Sequence, residues 1–141
     1  MTIQFTSKKV GELLKEGNLR IPSYQRPYKW NRKHIRNLFY DLRDAMGKKE
    51  YQIGSVILHE NDGYDIVDGQ QRLISISLFL HLLDRLENYK GAKQLLSAEF
   101  GELSCYHASE NYNEWENLTQ LVGENQAKDI CNFLLENCSV S

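Results

Sequence analysis

The stretch that most limits how this chain can fold is QQRLISISLFLHLL, residues 70–83. Leu73, Ile74, Ile76, Leu78, Phe79, Leu80, Leu82 and Leu83 crowd together, so a helix predicted from about Gln70 to Leu86 has little polar surface on any side. A helix apolar nearly all round belongs in the middle of a domain. The most apolar part, Leu73 to Leu83, is too short to span a bilayer and carries two serines and a histidine, so burial inside protein is the expectation. Other elements must wrap around it. The 41% of apolar residues in a chain of 141 suffices for that, within one domain.

The rest of the sequence supplies those elements. Ser7 to Glu16 reads as a first helix, with Val10, Leu13 and Leu14 as its apolar stripe, Ser7 as its cap and Gly17 as its stop. Residues 21–30, IPSYQRPYKW, hold both prolines of the chain, so the backbone there is extended or turning. If extended, it places Tyr24, Arg26, Tyr28 and Trp30 on one face and Gln25 and Lys29 on the other. Asn31 can cap a second helix, Arg32 to Met46, closed by Gly47 and lined by Ile35, Leu38, Phe39 and Leu42. Tyr51 to His59 reads as a strand, Glu60 to Gly63 as a hairpin turn and Tyr64 to Val67 as the returning strand. Beyond Asn88, Trp115, Leu118, Leu121 and Val122 suggest one helix, and Ile130, Phe133 and Leu134 another.

The expected fold is therefore α+β: a small sheet, containing the hairpin from Tyr51 to Val67, packed on the central helix, with more helices behind it. Residues 1–87 form the expected core and 88–141 a helical extension. The chain stops soon after its last predicted helix, which would suit an N-terminal piece of a longer protein.

Charge and cysteine usage narrow the function classes. A net charge of −2 creates no global field toward nucleic acid or an anionic membrane, so any polyanion contact must be local. Cys105, Cys131 and Cys138 lack Cys-x-x-Cys spacing and read as free buried thiols of a reducing cytoplasm. The start, MTIQFTSKKV, lacks the apolar run of a signal peptide, so a cytoplasmic protein with no membrane partner is expected. The histidines, His34, His59, His81 and His107, are scattered without ligand spacing, and His81 on the central helix reads as a satisfied core residue.

One junction carries chemistry. DIVDGQQRL runs from a strand directly into the central helix. On one reading Asp68 is the N-cap and Gln71 completes a capping box, worth about 1 kcal/mol. On the other, the unpaired N–H groups of a helix start, the small Gly69 and the planar fork of Arg72 make a phosphate cradle. Gln70 and Gln71 would then reach phosphate or sugar oxygens, and Asp68 would hold a divalent cation. A second feature points to an anion. From Arg26 to Arg36 there are Arg26, Lys29, Arg32, Lys33, His34 and Arg36 and no acid, while Asp41 and Asp44 fall in the later half of the same helix. That helix is charged against its own dipole, which solvent screening or an anionic partner would offset.

IPSYQRPYKW and YDIVDGQQRL, with YQIGSVILH between them, resemble the paired motifs of the GmrSD-type N-terminal domain, a ParB/sulfiredoxin-like family. The resemblance is close from Ser7 to about Leu86 and looser over LSCYHASENYNEWENLTQL, residues 103–121. It implies a regulatory domain of restriction and anti-phage defence systems that cut modified DNA. Such domains bind, and often hydrolyse, a nucleoside triphosphate, here GTP or ATP with Mg2+. The implied nucleotide-binding residues are Gln25, Arg26, Asp68, Gly69, Gln70, Gln71 and Arg72. Asp68, Gln70 and Arg72 are the candidates for hydrolysis, with Asp68 also at the metal. Larger members carry an HNH-type nuclease domain, which the four histidines here do not supply, so modified DNA would be reached directly or through another domain or subunit. The alternative is a DNA-binding module using Lys29, Arg32, Lys33 and Arg36 with no turnover. A third reading is a scaffolding fragment in which Asp68 is only a cap.

Overall fold

The computed structural model describes residues 7–22, 27–60, 62–101 and 103–140. Its centre is α3 (Gln70–Leu82), in which every residue from Leu73 to Leu80 is buried. Two of those are serines, and both are satisfied inside the helix. Ser75 Oγ donates to the Gln71 carbonyl at 2.8 Å and Ser77 Oγ to the Leu73 carbonyl at 2.7 Å, so neither leaves an unpaired hydroxyl in the core. Asp84, with φ 58°, breaks the helix earlier than the apolar run predicts, and a short 3-10 turn, Leu86–Asn88, follows.

Helices surround α3. α4 (Lys90–Phe100) and α5 (Glu110–Val122) pack on it directly, α2 (Arg32–Ala45) packs on α5, and α6 (Glu124–Asn137) closes the set. Trp115 of α5 stacks on Phe79 at 4.3 Å, and its indole N–H donates to the Ser75 carbonyl at 2.9 Å. α1 (Val10–Lys15) lies against α4 and α6. The inward faces of α1 and α2 are those read from the sequence. Leu121, placed by pattern on an apolar stripe, is instead 68% exposed.

The strands form two three-stranded sheets. In one, β6 (Cys138–Val140) lies between β1 (Lys8–Lys9), to which it is antiparallel, and β3 (Tyr51–Gly54), to which it is parallel. In the other, β5 (Tyr64–Asp68) lies between β2 (Leu19–Arg20), parallel, and β4 (Ile57–Glu60), antiparallel.

The α+β class stands, and several details change. The single strand expected over Tyr51–His59 is two strands in different sheets, divided where Gly54 takes φ 149° and the register shifts. The hairpin is β4–β5, turned by Asp62 at φ 51°. Ser7 caps nothing, because Lys8 and Lys9 pair with β6 and the helix begins only at Val10. α4 and β6 have no counterpart in the sequence reading. Residues beyond 88 are woven into the same core: Leu95, Leu96, Trp115, Ile130 and Leu134 share one apolar cluster with Ile35, Ile66 and Leu73.

Candidate functional site

The segment Pro27–Trp30 is latched along the start of α3. Gln71 Oε1 accepts the backbone N–H of Lys29 at 2.7 Å and of Trp30 at 3.2 Å, and its Nε2 donates to the Pro27 carbonyl at 3.2 Å. Tyr28 donates its backbone N–H to Glu99 Oε1 at 3.1 Å. Its hydroxyl shares a 2.5 Å hydrogen bond with Ser75 Oγ and accepts Asn111 Nδ2 at 2.7 Å. Burial pushes the Tyr28 phenol above its ordinary pKa. Asn111 Nδ2 also donates to the Trp30 carbonyl at 2.7 Å, so α5 holds the segment from its other side. The aromatics Tyr28 and Trp30 are thus packing residues, as expected of most aromatics. Tyr24, Gln25 and Arg26 lie outside the described residues.

Trp30 carries the latch into a cleft. Its ring stacks on His34 with centroids 5.2 Å apart and planes within 18°. The Arg72 guanidinium sits 5.8 Å from the same ring's centroid. Trp30, His34, Asn37, Asp41, Tyr51 and Arg72 line a cleft of about 180 Å³. Gly54 leaves room for the Arg72 side chain: a Cβ there would collide with the guanidinium unless that long side chain shifted. The Arg72 guanidinium, the Asn37 carboxamide, the Asp41 carboxylate and a flat aromatic wall therefore meet in one place.

The five residues of DGQQR take separate directions. Asp68 ends β5 and is exposed. It does not cap α3: the N-cap is Gly69, with φ 95° and no side-chain cap bond, so the capping-box reading with Gln71 is overturned. Gly69 is required twice over, by its positive φ and because a Cβ would stand 2.9 Å from the Ser55 carbonyl oxygen and from Val56 Cγ2. Gln70 is buried at 5% exposure. Gln71 serves the latch, and Arg72 faces the cleft. Among the described residues no three His, Cys, Asp or Glu side chains group as a metal site.

The basic stretch finds its anions within the chain. Arg32 pairs with Glu110 at 2.9 Å and Arg36 with Glu114 at 3.2 Å, both acids on α5. Asn31 caps α2 by accepting from Lys33 and His34 N–H, while His34 Nδ1 accepts the Asn31 N–H, a reciprocal box with histidine in the acid's place. Among the described residues Lys29 and Lys33 have no carboxylate partner. The misplaced charges of α2 are thus partly offset by α5, an arrangement invisible in local sequence.

Two smaller expectations change. Cys131 and Cys138 are buried thiols, pushed up to about 11 and about 12 by desolvation, whereas Cys105 is exposed. His81 is half-buried and meets His107, so two of the four scattered histidines are neighbours in space. Desolvation, and then the adjoining imidazole, lower its pKa.

Gly54, Glu99 and Asn111 are the residues that sequence reasoning missed. Gly54 had a signal, since a lone glycine inside a strand pattern marks a bulge or a close approach. Glu99 and Asn111 had none, being polar residues on helices like many others.

The architecture is an α+β domain whose central helix leaves a strand through a left-handed glycine, with an arginine in its first turn facing a cleft. Residues 10–140 match the family model of the GmrSD restriction endonuclease N-terminal domain, and the chain belongs to that family. It is thus a restriction-system domain. No curated protein matches the chain. Among the described residues no helix is long and apolar enough to cross a membrane.

Proposed function

We propose that this chain is a nucleoside-triphosphate-binding regulatory domain of a modification-dependent restriction system, with the phosphates taken by the start of α3 and by Arg72. The observation that carries the reading is Arg72: a permanent cation held against Gly54 and the Trp30 ring, facing a cleft beside a helix start that no side chain caps. The cleft of about 180 Å³ suits part of a nucleotide, since whole ligand pockets run to roughly 300 Å³ or more. Gln25 and Arg26, assigned to the same nucleotide, immediately precede Pro27 in the sequence. Asp68 is assigned the Mg2+ of the bound GTP or ATP, and Gly69 the close approach of backbone to phosphate. Gln70 and Gln71 shape the site from behind, because one is buried and the other is spent on the latch. Hydrolysis would require water in line with the terminal phosphoryl group, with Arg72 and the ion stabilising its charge and Asp68 orienting the water. DNA, modified at the cut target, would be engaged by a nuclease domain or subunit working with this one in the cytoplasm.

Calorimetric titration with GTP and ATP in the presence of Mg2+ tests this. Arg72→Ala should weaken binding at least tenfold with Arg72→Lys intermediate, because a point charge replaces a planar fork. Unchanged affinity in Arg72→Ala overturns the site, and phosphate release separates binding from turnover. The DNA-binding reading is less well supported, since two of its four residues, Arg32 and Arg36, are already paired with acids. It would require steep salt dependence of DNA affinity that survives in the Arg72 variants.

A further inference from the structure

His81, near the end of α3, and His107, in the 3-10 segment Leu103–Ala108, are brought together with their Nε2 atoms 3.3 Å apart. Neither lines the cleft described above. Their ring centroids are 4.9 Å apart and their planes differ by 59°. Tyr112 stands beside both, 5.6 Å from the His81 centroid and 4.6 Å from that of His107, and Tyr106 meets His81 edge-on at 5.3 Å. Aromatic walls thus fix two imidazoles whose outer nitrogens face each other.

Two arrangements bring imidazole nitrogens this close. In a single N–H···N bond the rings meet nearly head-on, and the centroids are separated by the N···N distance plus almost a full ring width. Here the centroids are closer than that, so the rings meet at an angle, which leaves a point beside both nitrogens. In the second arrangement that point is occupied by an ion. Two nitrogens each about 2.0–2.1 Å from a tetrahedral centre stand about 3.3–3.4 Å apart. The observed separation has that value.

We infer that His81 and His107 form a two-histidine site for a divalent transition ion of the Zn2+, Ni2+ or Cu2+ class, bound through both Nε2 atoms, with water completing its shell. Imidazole nitrogen favours these ions over Mg2+, so the site is chemically distinct from the oxygen ligands of a triphosphate. The bound ion ties the 3-10 segment to the end of α3, across 26 residues of sequence. With only two protein ligands it is an exchangeable clamp and leaves positions open to a further donor.

Titration of the full chain with ZnCl2 and NiCl2, followed by calorimetry and by imidazole NMR, tests the proposal. The expected result is saturable binding at one ion per chain, perturbation of both Nε2 resonances and no competition from excess Mg2+. His107→Gln, a change at an exposed position, should weaken binding roughly tenfold or more, as should His81→Gln. Cys105→Ser should bind as the parent does, which separates the histidine pair from the exposed thiol. At ion concentrations tenfold above the dissociation constant, Zn2+ should raise Tm by about 3–6 °C in the parent and not in His107→Gln. Binding that is equal in parent and His107→Gln, that disappears with Cys105→Ser, or that leaves either imidazole unperturbed overturns it.

Discussion

At residue 54 a glycine with φ 149° stands against the Arg72 guanidinium, so any side chain there meets two separate obstacles. One is conformational and is shared with Gly47, whose φ is 100° but whose surroundings are open. The other, collision with Arg72, belongs to Gly54 alone. Comparing Gly54→Ala with Gly47→Ala divides the two. Both should lose about 1–2 kcal/mol in urea unfolding from positive φ, and Gly54→Ala should also lose triphosphate affinity as Arg72 is displaced. Equal nucleotide affinity in the two variants would detach Gly54 from the site. At this scale the sequence was informative about residue type and poor about direction. DGQQR was legible as a helix start rich in ligand-capable groups, yet Asp68 ends the strand and faces solvent, and within the helix a rotation of about 100° per residue turns Gln70 to the interior and Gln71 to the backbone of the latch.

The Pro27–Trp30 segment and the first turn of α3 act as one element, although they lie more than forty residues apart. Gln71 supplies three hydrogen bonds across that gap, and Asn111 of α5 adds two to the segment from its other side. Gln71→Ala should therefore cost about 2 kcal/mol, and hydrogen exchange at the amides of Lys29 and Trp30 should accelerate, while exchange in the middle of α3 at Ile76 changes no more than the global loss demands. Uniform acceleration would mean that the latch is not a separate unit. Helices α2, α3, α5 and α6 could be read because each carries enough buried residues at helical spacing to declare itself. α4 was missed because KGAKQLLSAEF sets Ala92, Leu95 and Leu96 among polar residues and opens without a side-chain cap. β1, β2 and β6 are two or three residues long, and their strand character comes wholly from partners distant in sequence.

For the molecule as a whole, the division into a motif-bearing part and a helical tail does not describe the packing. Leu95, Leu96, Trp115, Ile130 and Leu134 complete the cluster around α3, and β6 is the middle strand of its sheet. A chain cut after Glu87 would expose the faces of α1, α2 and α3 that these residues cover. Such a fragment should show no cooperative thermal transition and no near-ultraviolet circular dichroism signal, whereas the full chain should show both; a sharp transition in residues 1–87 would show the motif region to be autonomous. The arrangement also has a consequence during synthesis. β1 and β3 leave the ribosome early, but the strand that joins them is translated after every other regular element. While the nascent chain waits for Cys138–Val140, two strand edges stay unzipped, and the Gly54 end of one of them is where Arg72 must settle. The strand edge that ends at Gly54, beside Arg72, is therefore paired only once Cys138–Val140 has been made.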